Sequence, residues 1–85
     1  MEDVFASRGR IRILKLLMRE GEVNITRIIK ETGLHYNLVI KHLEVLEDLG
    51  LVVERRFGRS RIFSLNYDNP KVTLVRDLIS IIEGE

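Results

Sequence analysis

The order of apolar patterns along the chain predicts a small α+β domain that is mainly helical and carries one β-hairpin. Three observations lead to this prediction. Apolar residues recur at helical spacing in three stretches between residues 7 and 49. Two short runs rich in branched and aromatic residues flank Gly58, and Asn69-Pro70 is typical of a helix start. The predicted order is therefore helix, helix, helix, strand, strand, helix (α-α-α-β-β-α).

The first two helices are predicted from their caps. Ser7 is a favourable N-cap, and Gly21 is placed to end the helix that follows it. Residues 22–24 form a short extended link. Asn24 then caps a second helix over residues 25–31, whose isoleucines point inward.

The third helix and the hairpin follow a tight turn at Gly33, where glycine supplies a positive φ without steric cost. The third helix is predicted over residues 35–49, and Gly50 ends it. Strands are expected over residues 51–57 and 61–65, with a three-residue connection, Gly58-Arg59-Ser60, between them. The last helix is predicted from about residue 70 to residue 83.

Length and composition limit the classes of protein that fit. With 85 residues, of which 45% are hydrophobic, the chain has room for a single domain over residues 1–85. The absence of cysteine removes disulfides, thiolate zinc sites and cysteine nucleophiles. No run approaches the roughly 18 apolar residues of a membrane span, and no secretion signal opens the chain. We therefore expect a cytoplasmic, nucleoid-associated protein.

Arginine is concentrated in the predicted hairpin, although the net charge of the whole chain is only +1. Four arginines and no acid lie between residues 55 and 61: Arg55, Arg56, Arg59 and Arg61. Such a cluster can pair with phosphates or enter a minor groove. Protection of an edge strand by charge is the simpler alternative.

The outer face of the third helix offers side chains suited to reading bases. The face opposite its apolar stripe presents Tyr36, Asn37, Ile40 and Lys41. Asparagine can pair with an adenine edge, lysine with guanine or a phosphate, and isoleucine with a thymine methyl. An ordinary solvated helix face is the alternative. Together with the basic hairpin, this face indicates a DNA-binding module.

The last helix is apolar nearly all round, which exceeds what one side of a small domain can bury. One stripe should pack on the first helix, and the other should meet a second copy in a two-fold dimer. The expected dimer residues are Val72, Val75, Leu78, Ile79 and Ile82. A helix absorbed wholly by its own core is the alternative.

Catalytic and metal-binding patterns are not found in the sequence. It contains no phosphate-binding loop, no dinucleotide fingerprint and no nucleophile with a supporting base. The only histidines, His35 and His42, are seven residues apart, about 10 Å along a helix, too far to share an ion. We expect no enzymatic activity, no metal and no cofactor.

Two segments carry a family resemblance. Residues 25–34 and then 39–52, with the pattern V-x-x-H-L-x-x-L-x-x-x-G-L-V, resemble the winged helix-turn-helix of small, archaeal-type prokaryotic regulators that are ArsR-like or MarR-like. Residues 55–61 match the wing. The resemblance covers the winged-helix core, residues 7–66, and residues 70–83 suit the dimerisation helix of such proteins.

The resemblance implies a homodimer on a pseudo-palindromic operator, with the third helix in the major groove and the wing beside the minor groove. By position, Tyr36, Asn37, Ile40 and Lys41 would read bases and Arg59 would occupy the wing tip. His35 replaces the usual small hydroxyl cap, and the cysteine motif of metal-sensing relatives is missing. The resulting hypothesis is a sequence-specific regulator of transcription, a repressor. Non-specific coating of DNA and a protein-binding winged helix are the alternatives. A small-molecule effector cannot be inferred.

Overall fold

The computed structural model describes residues 7–83, and this part of the chain folds into helices and one antiparallel sheet. The elements are α1 (Arg8–Glu20), β1 (Glu22–Asn24), α2 (Ile25–Thr32), α3 (Tyr36–Asp48), β2 (Val52–Phe57), β3 (Ser60–Leu65) and α4 (Pro70–Ile82). The predicted order of helices and hairpin strands is confirmed. Residues 1–6 and 84–85, the ends of the expected 1–85 domain, lie outside the described residues.

Local capping explains why the helices begin where the sequence predicts. The side-chain oxygens of Ser7, Asn24 and Asn69 accept backbone N–H groups of the first turns of α1, α2 and α4, at 3.4, 2.8 and 3.0 Å. These bonds satisfy donors that a helix start otherwise leaves unpaired. Gly33 closes α2 in the left-handed conformation, with φ +71°. The turn that directs the chain into α3 is therefore encoded locally.

The sheet has a third strand, which corrects the prediction of an extended link at residues 22–24. β1 pairs antiparallel with β3, and the strand order is β1-β3-β2. Val23 lies opposite Phe63 and is buried, while Glu22 and Asn24 are exposed. This alternation is typical of a strand, but three residues are too few for a sequence pattern to distinguish it from a link.

The hairpin between β2 and β3 is one residue tighter than predicted. Phe57 pairs with Ser60, so only Gly58 and Arg59 form the loop. Gly58 has φ +61°, and a two-residue hairpin turn of type II′ requires a positive φ at this first position. The loop places Arg59 at the exposed tip.

One apolar core unites the helices and the inner face of the sheet. Phe63, Leu17, Ile28 and Val39 are fully buried within it. α4 contributes the side chains of Val72, Val75 and Ile79, at spacing i, i+3 and i+7, which are at most 3% exposed. The prediction that these three residues line a dimer interface is therefore wrong. They form the stripe that packs α4 onto its own protomer.

The other side of α4 remains apolar and uncovered in the protomer. Leu78 and Ile82, both expected at the interface, are 40% and 64% exposed. Leu74 and Ile81 were not predicted there and are 58% and 74% exposed. We call these four residues the outer α4 face. None of the helices in residues 7–83 is long and apolar enough to cross a membrane.

Candidate nucleic-acid interface

The start of α3 is exposed and polar. Tyr36 is the first residue of the helix and is 52% exposed, and Asn37 and Lys41 also face solvent. His35 occupies the N-cap position, but its side chain makes no capping hydrogen bond. The backbone N–H groups of the first turn therefore receive no side-chain acceptor from His35, and a helix N-terminus of this kind favours an anion.

Ile40 differs from the prediction because it is half-buried rather than exposed. It follows buried Val39 directly and precedes buried Leu43 by three residues, so it lies on the border of the apolar stripe of α3. Leu38, which sequence analysis did not count as a contact residue, is instead 39% exposed. Leu38 therefore exposes more apolar side chain on this surface than Ile40 does.

A buried histidine attaches α3 to α1. His42 is 6% exposed, and its Nδ1 accepts a hydrogen bond from Arg10 Nε at 3.1 Å. Gly9 of α1 lies so close that a Cβ at this position would stand 2.8 Å from His42 Nε2. The glycine thus allows α1 to approach the imidazole, and the contact fixes the orientation of α3 on the protomer.

The surroundings of His42 keep its imidazole neutral. Burial, reinforced by repulsion from Arg10 and Lys41, lowers the pKa of His42 from its ordinary value of 6.5. A neutral ring is also required by the hydrogen bond, because a protonated Nδ1 could not accept from Arg10.

The hairpin arginines are mostly paired inside the protomer. The sequence, with no acid between residues 55 and 61, had suggested a cluster without acidic partners. Arg55 forms an ion pair with Glu22 of β1 on the outer face of the sheet. Arg56 and Arg61 both pair with Glu54, at 3.2 and 2.7 Å. The surplus positive charge of the hairpin is therefore smaller than its arginine content suggests.

Arg61 is held much more firmly than its neighbours. Its Nε and one terminal nitrogen donate to the two carboxylate oxygens of Glu54, at 2.7 and 3.1 Å. Its guanidinium lies 5.4 Å from the centre of the Phe63 ring. It is also close enough to the Tyr36 side chain for the two groups to interact electrostatically. These contacts raise the pKa of Arg61, chiefly through Glu54, and lower that of Glu54. Arg61 thereby joins the hairpin to the start of α3.

Arg59 is the exception among the four arginines. It is exposed at the tip of the hairpin and has no acidic partner within residues 7–83. Phe57, which precedes the turn, is 62% exposed, whereas Phe63 is buried. The tip therefore presents one unpaired guanidinium beside an exposed ring.

Sequence reasoning missed Glu54 and Glu22. Glu54 is two residues from Arg56, hence on the same strand face, and Arg61 lies opposite Arg56 in the adjacent strand. That alternation could have identified the Glu54 cluster. The partner of Arg55 could not be found in this way, because Glu22 lies in a segment that had been interpreted as a link.

Comparison with known proteins places this geometry in a family. The family model of the bacterial regulatory protein arsR family matches residues 7–53. The HTH-type transcriptional regulator NmtR of Mycobacterium tuberculosis is 38% identical over 77 residues. The match covers 91% of this chain and 62% of that relative, so the chain spans about three fifths of the relative's length.

Solved structures show the same fold. The homodimeric winged helix-turn-helix DNA-binding domain Mb0332 of Mycobacterium bovis is 27% identical, with a TM-score of 0.79 over 96% of this chain and 73% of that one. The transcriptional repressor PagR of Bacillus anthracis is 28% identical, with a TM-score of 0.74 over 89% and 84%. HlyU of Vibrio cholerae, at 21% identity and a TM-score of 0.82 over 96% and 86%, supports the fold alone.

These findings confirm the predicted winged helix-turn-helix, in which α3 occupies the position of the recognition helix and the β2–β3 hairpin that of the wing. With the family model matched over more than half of the chain, this protein belongs to the arsR family of regulatory proteins.

Proposed function

We propose that this protein represses transcription by binding specific double-stranded DNA sequences as a homodimer. The observation that carries the proposal is the proximity of Arg61 on β3 to Tyr36, since the exposed start of α3 then lies beside the hairpin. A helix N-terminus and a neighbouring hairpin can then engage the major groove and the flanking backbone of one duplex.

The exposed side chains of α3 suit direct readout. Asn37 can form paired hydrogen bonds with an adenine edge, and Lys41 can contact guanine or a phosphate. Leu38 and the ring of Tyr36 can contact a thymine methyl. Arg59, exposed and unpaired at the tip, is suited to the minor groove or its phosphates.

The outer α4 face supports dimerisation. Its four large apolar side chains are exposed along one side of a terminal helix, and contiguous apolar surface of this kind marks an interaction site. The related Mb0332 domain is homodimeric. A two-fold contact through α4 would present two copies of α3 to half-sites about 34 Å apart. Repression then requires only that the dimer occupies a promoter. The related PagR is a transcriptional repressor.

Selection of duplexes from a random-sequence pool tests the proposal. The tightest selected duplex and the unselected pool are titrated with the protein at several salt concentrations. We expect binding to the selected duplex to be at least 10³-fold tighter. Equal affinity would indicate a DNA-coating protein, and no binding to either would indicate a protein-binding winged helix.

A further inference from the structure

Glu54 is an acidic residue among the arginines of the hairpin, on the same strand face as Arg56 and Arg61. Its side chain is only 15% exposed, and both of its carboxylate oxygens are used by arginines. An acid at such a position reduces attraction to phosphate, so its presence calls for a compensating role.

The two arginines at Glu54 differ in how tightly they are held. Arg56 makes one bond of 3.2 Å to the carboxylate and its side chain is 68% exposed, so it can turn toward a phosphate. Arg61 makes two bonds and is 25% exposed. A forked guanidinium–carboxylate pair fixes orientation as well as charge.

Arg61 in turn connects two elements. Its position over the Phe63 ring ties it to the core of the protomer, and it lies beside the side chain of Tyr36, the first residue of α3. Two hydrogen bonds therefore join Glu54 on β2 to Arg61 on β3, and Arg61 is the neighbour of Tyr36 on α3.

We propose that Glu54 is a positioning residue that, through Arg61, fixes the hairpin against the start of α3, and that discrimination between DNA sequences depends on this fixed relation. The inference rests on the proposed function in one respect: it requires that the protein prefers some sequences over others. Glu54 itself contacts no DNA in this account.

A role of Glu54 in charge alone predicts a different effect on DNA binding from a positioning role. If the carboxylate merely neutralised arginines, its removal would strengthen binding to every duplex by the same factor, because more positive charge would face the phosphates. If it positions Arg61, its removal leaves or strengthens binding to random DNA but weakens the preference for the selected duplex. The ratio of the two affinities separates these cases.

The test compares Glu54→Gln with wild type in the full 85-residue chain, using the selected duplex and the unselected pool as probes. Glu22→Gln is the matched control. It also removes one carboxylate that pairs with a hairpin arginine, Arg55, but on the opposite face of the sheet. We expect Glu54→Gln to lower the affinity ratio about tenfold, the size of one lost base contact. Glu22→Gln should leave the ratio unchanged.

Arg61→Lys extends the test, because lysine keeps the charge but cannot form the forked pair. It should lower the affinity ratio as Glu54→Gln does. An equal gain in affinity for both probes in Glu54→Gln, or an unchanged ratio in both variants, would overturn the proposal. Thermal unfolding of each variant confirms that the protein is folded at the temperature of the titration.

A measurement without DNA keeps the inference separate from the proposed function. In NMR spectra of the free protein, the Arg61 Nε–H resonance should be protected from exchange in wild type and lose that protection in Glu54→Gln, and the Tyr36 ring resonances should shift. Unchanged protection and unchanged Tyr36 resonances would overturn the positioning role. A wild type that shows no sequence preference would instead overturn the proposed function.

Discussion

At the scale of single residues, His42 shows how one side chain can orient the helix that presents the site. The imidazole belongs to α3, yet its hydrogen-bond partner is Arg10 of α1. The two helices can approach because residue 9 is glycine, and a Cβ at that position would collide with His42. The exposed residues Tyr36, Asn37 and Lys41 depend on this buried contact for their placement.

The lowered pKa of His42 predicts that acid weakens the fold. The unfolded chain takes up a proton on His42 near pH 6.5, whereas the folded protein resists it to lower pH. The stability contributed by neutral His42 is therefore complete above pH 6.5 and is lost as the pH falls toward the folded pKa.

Thermal midpoints between pH 7.5 and 5.5 check this prediction. We expect the midpoint of wild type to fall over this range and that of His42→Gln to fall less. His35→Gln is the matched control, since His35 is exposed at the N-cap, and its midpoint should follow wild type. Parallel curves for wild type and His42→Gln would contradict the account.

At the scale of elements, the wing shows what a sequence can and cannot predict. Its strands and the glycine of its turn follow from local patterns, so they were predictable. The ion pair between Arg55 and Glu22 was not predictable, since Arg55 reaches across β3 to Glu22. Such a contact depends on the order of strands in the sheet, which no local pattern of residues specifies.

The pairing within the wing predicts unequal roles for its arginines. Arg59→Ala should weaken DNA binding for all sequences and reduce the slope of log affinity against log salt by about 1, because a free cation is removed. Arg55→Ala is the comparison, and it should have a smaller effect because Arg55 is already paired with Glu22. Salt titrations by fluorescence anisotropy measure both. An Arg55→Ala effect equal to that of Arg59→Ala would contradict this interpretation.

α4 was predicted correctly as a helix with two apolar sides, but three residues were assigned to the wrong side. Val72, Val75 and Ile79 were expected at the interface and are core residues instead. Because nearly every face of the helix is apolar, periodicity alone could not show which stripe meets the protomer. The packing of α1 and the sheet determines that choice.

Replacement of one residue in the outer α4 face tests dimerisation. Leu78→Glu should convert the dimer to a monomer at micromolar concentration, because a carboxylate would be buried in the apolar contact without a partner. Thr73→Glu, also on an exposed position of α4, is the matched control and should remain dimeric. Sedimentation equilibrium distinguishes the two, and dimeric Leu78→Glu would contradict the proposed interface.

At the scale of the whole molecule, the proposed function uses two surfaces. We propose that the start of α3 and the tip of the hairpin face DNA, while the outer α4 face binds a second copy. The helix-turn-helix was predictable because the cap at Asn24 and the turn at Gly33 are encoded locally. The number of unpaired cations available to DNA was not predictable, because it depends on tertiary ion pairs.

Amide NMR of the ¹⁵N-labelled protein, titrated with the selected duplex, tests the central claim most directly. The account predicts that the largest shifts fall on residues 36–41 and on Gly58 and Arg59, with residues 72–82 of α4 little changed. Shifts concentrated on α4 or on the outer face of the sheet, with residues 36–41 unaffected, would contradict it.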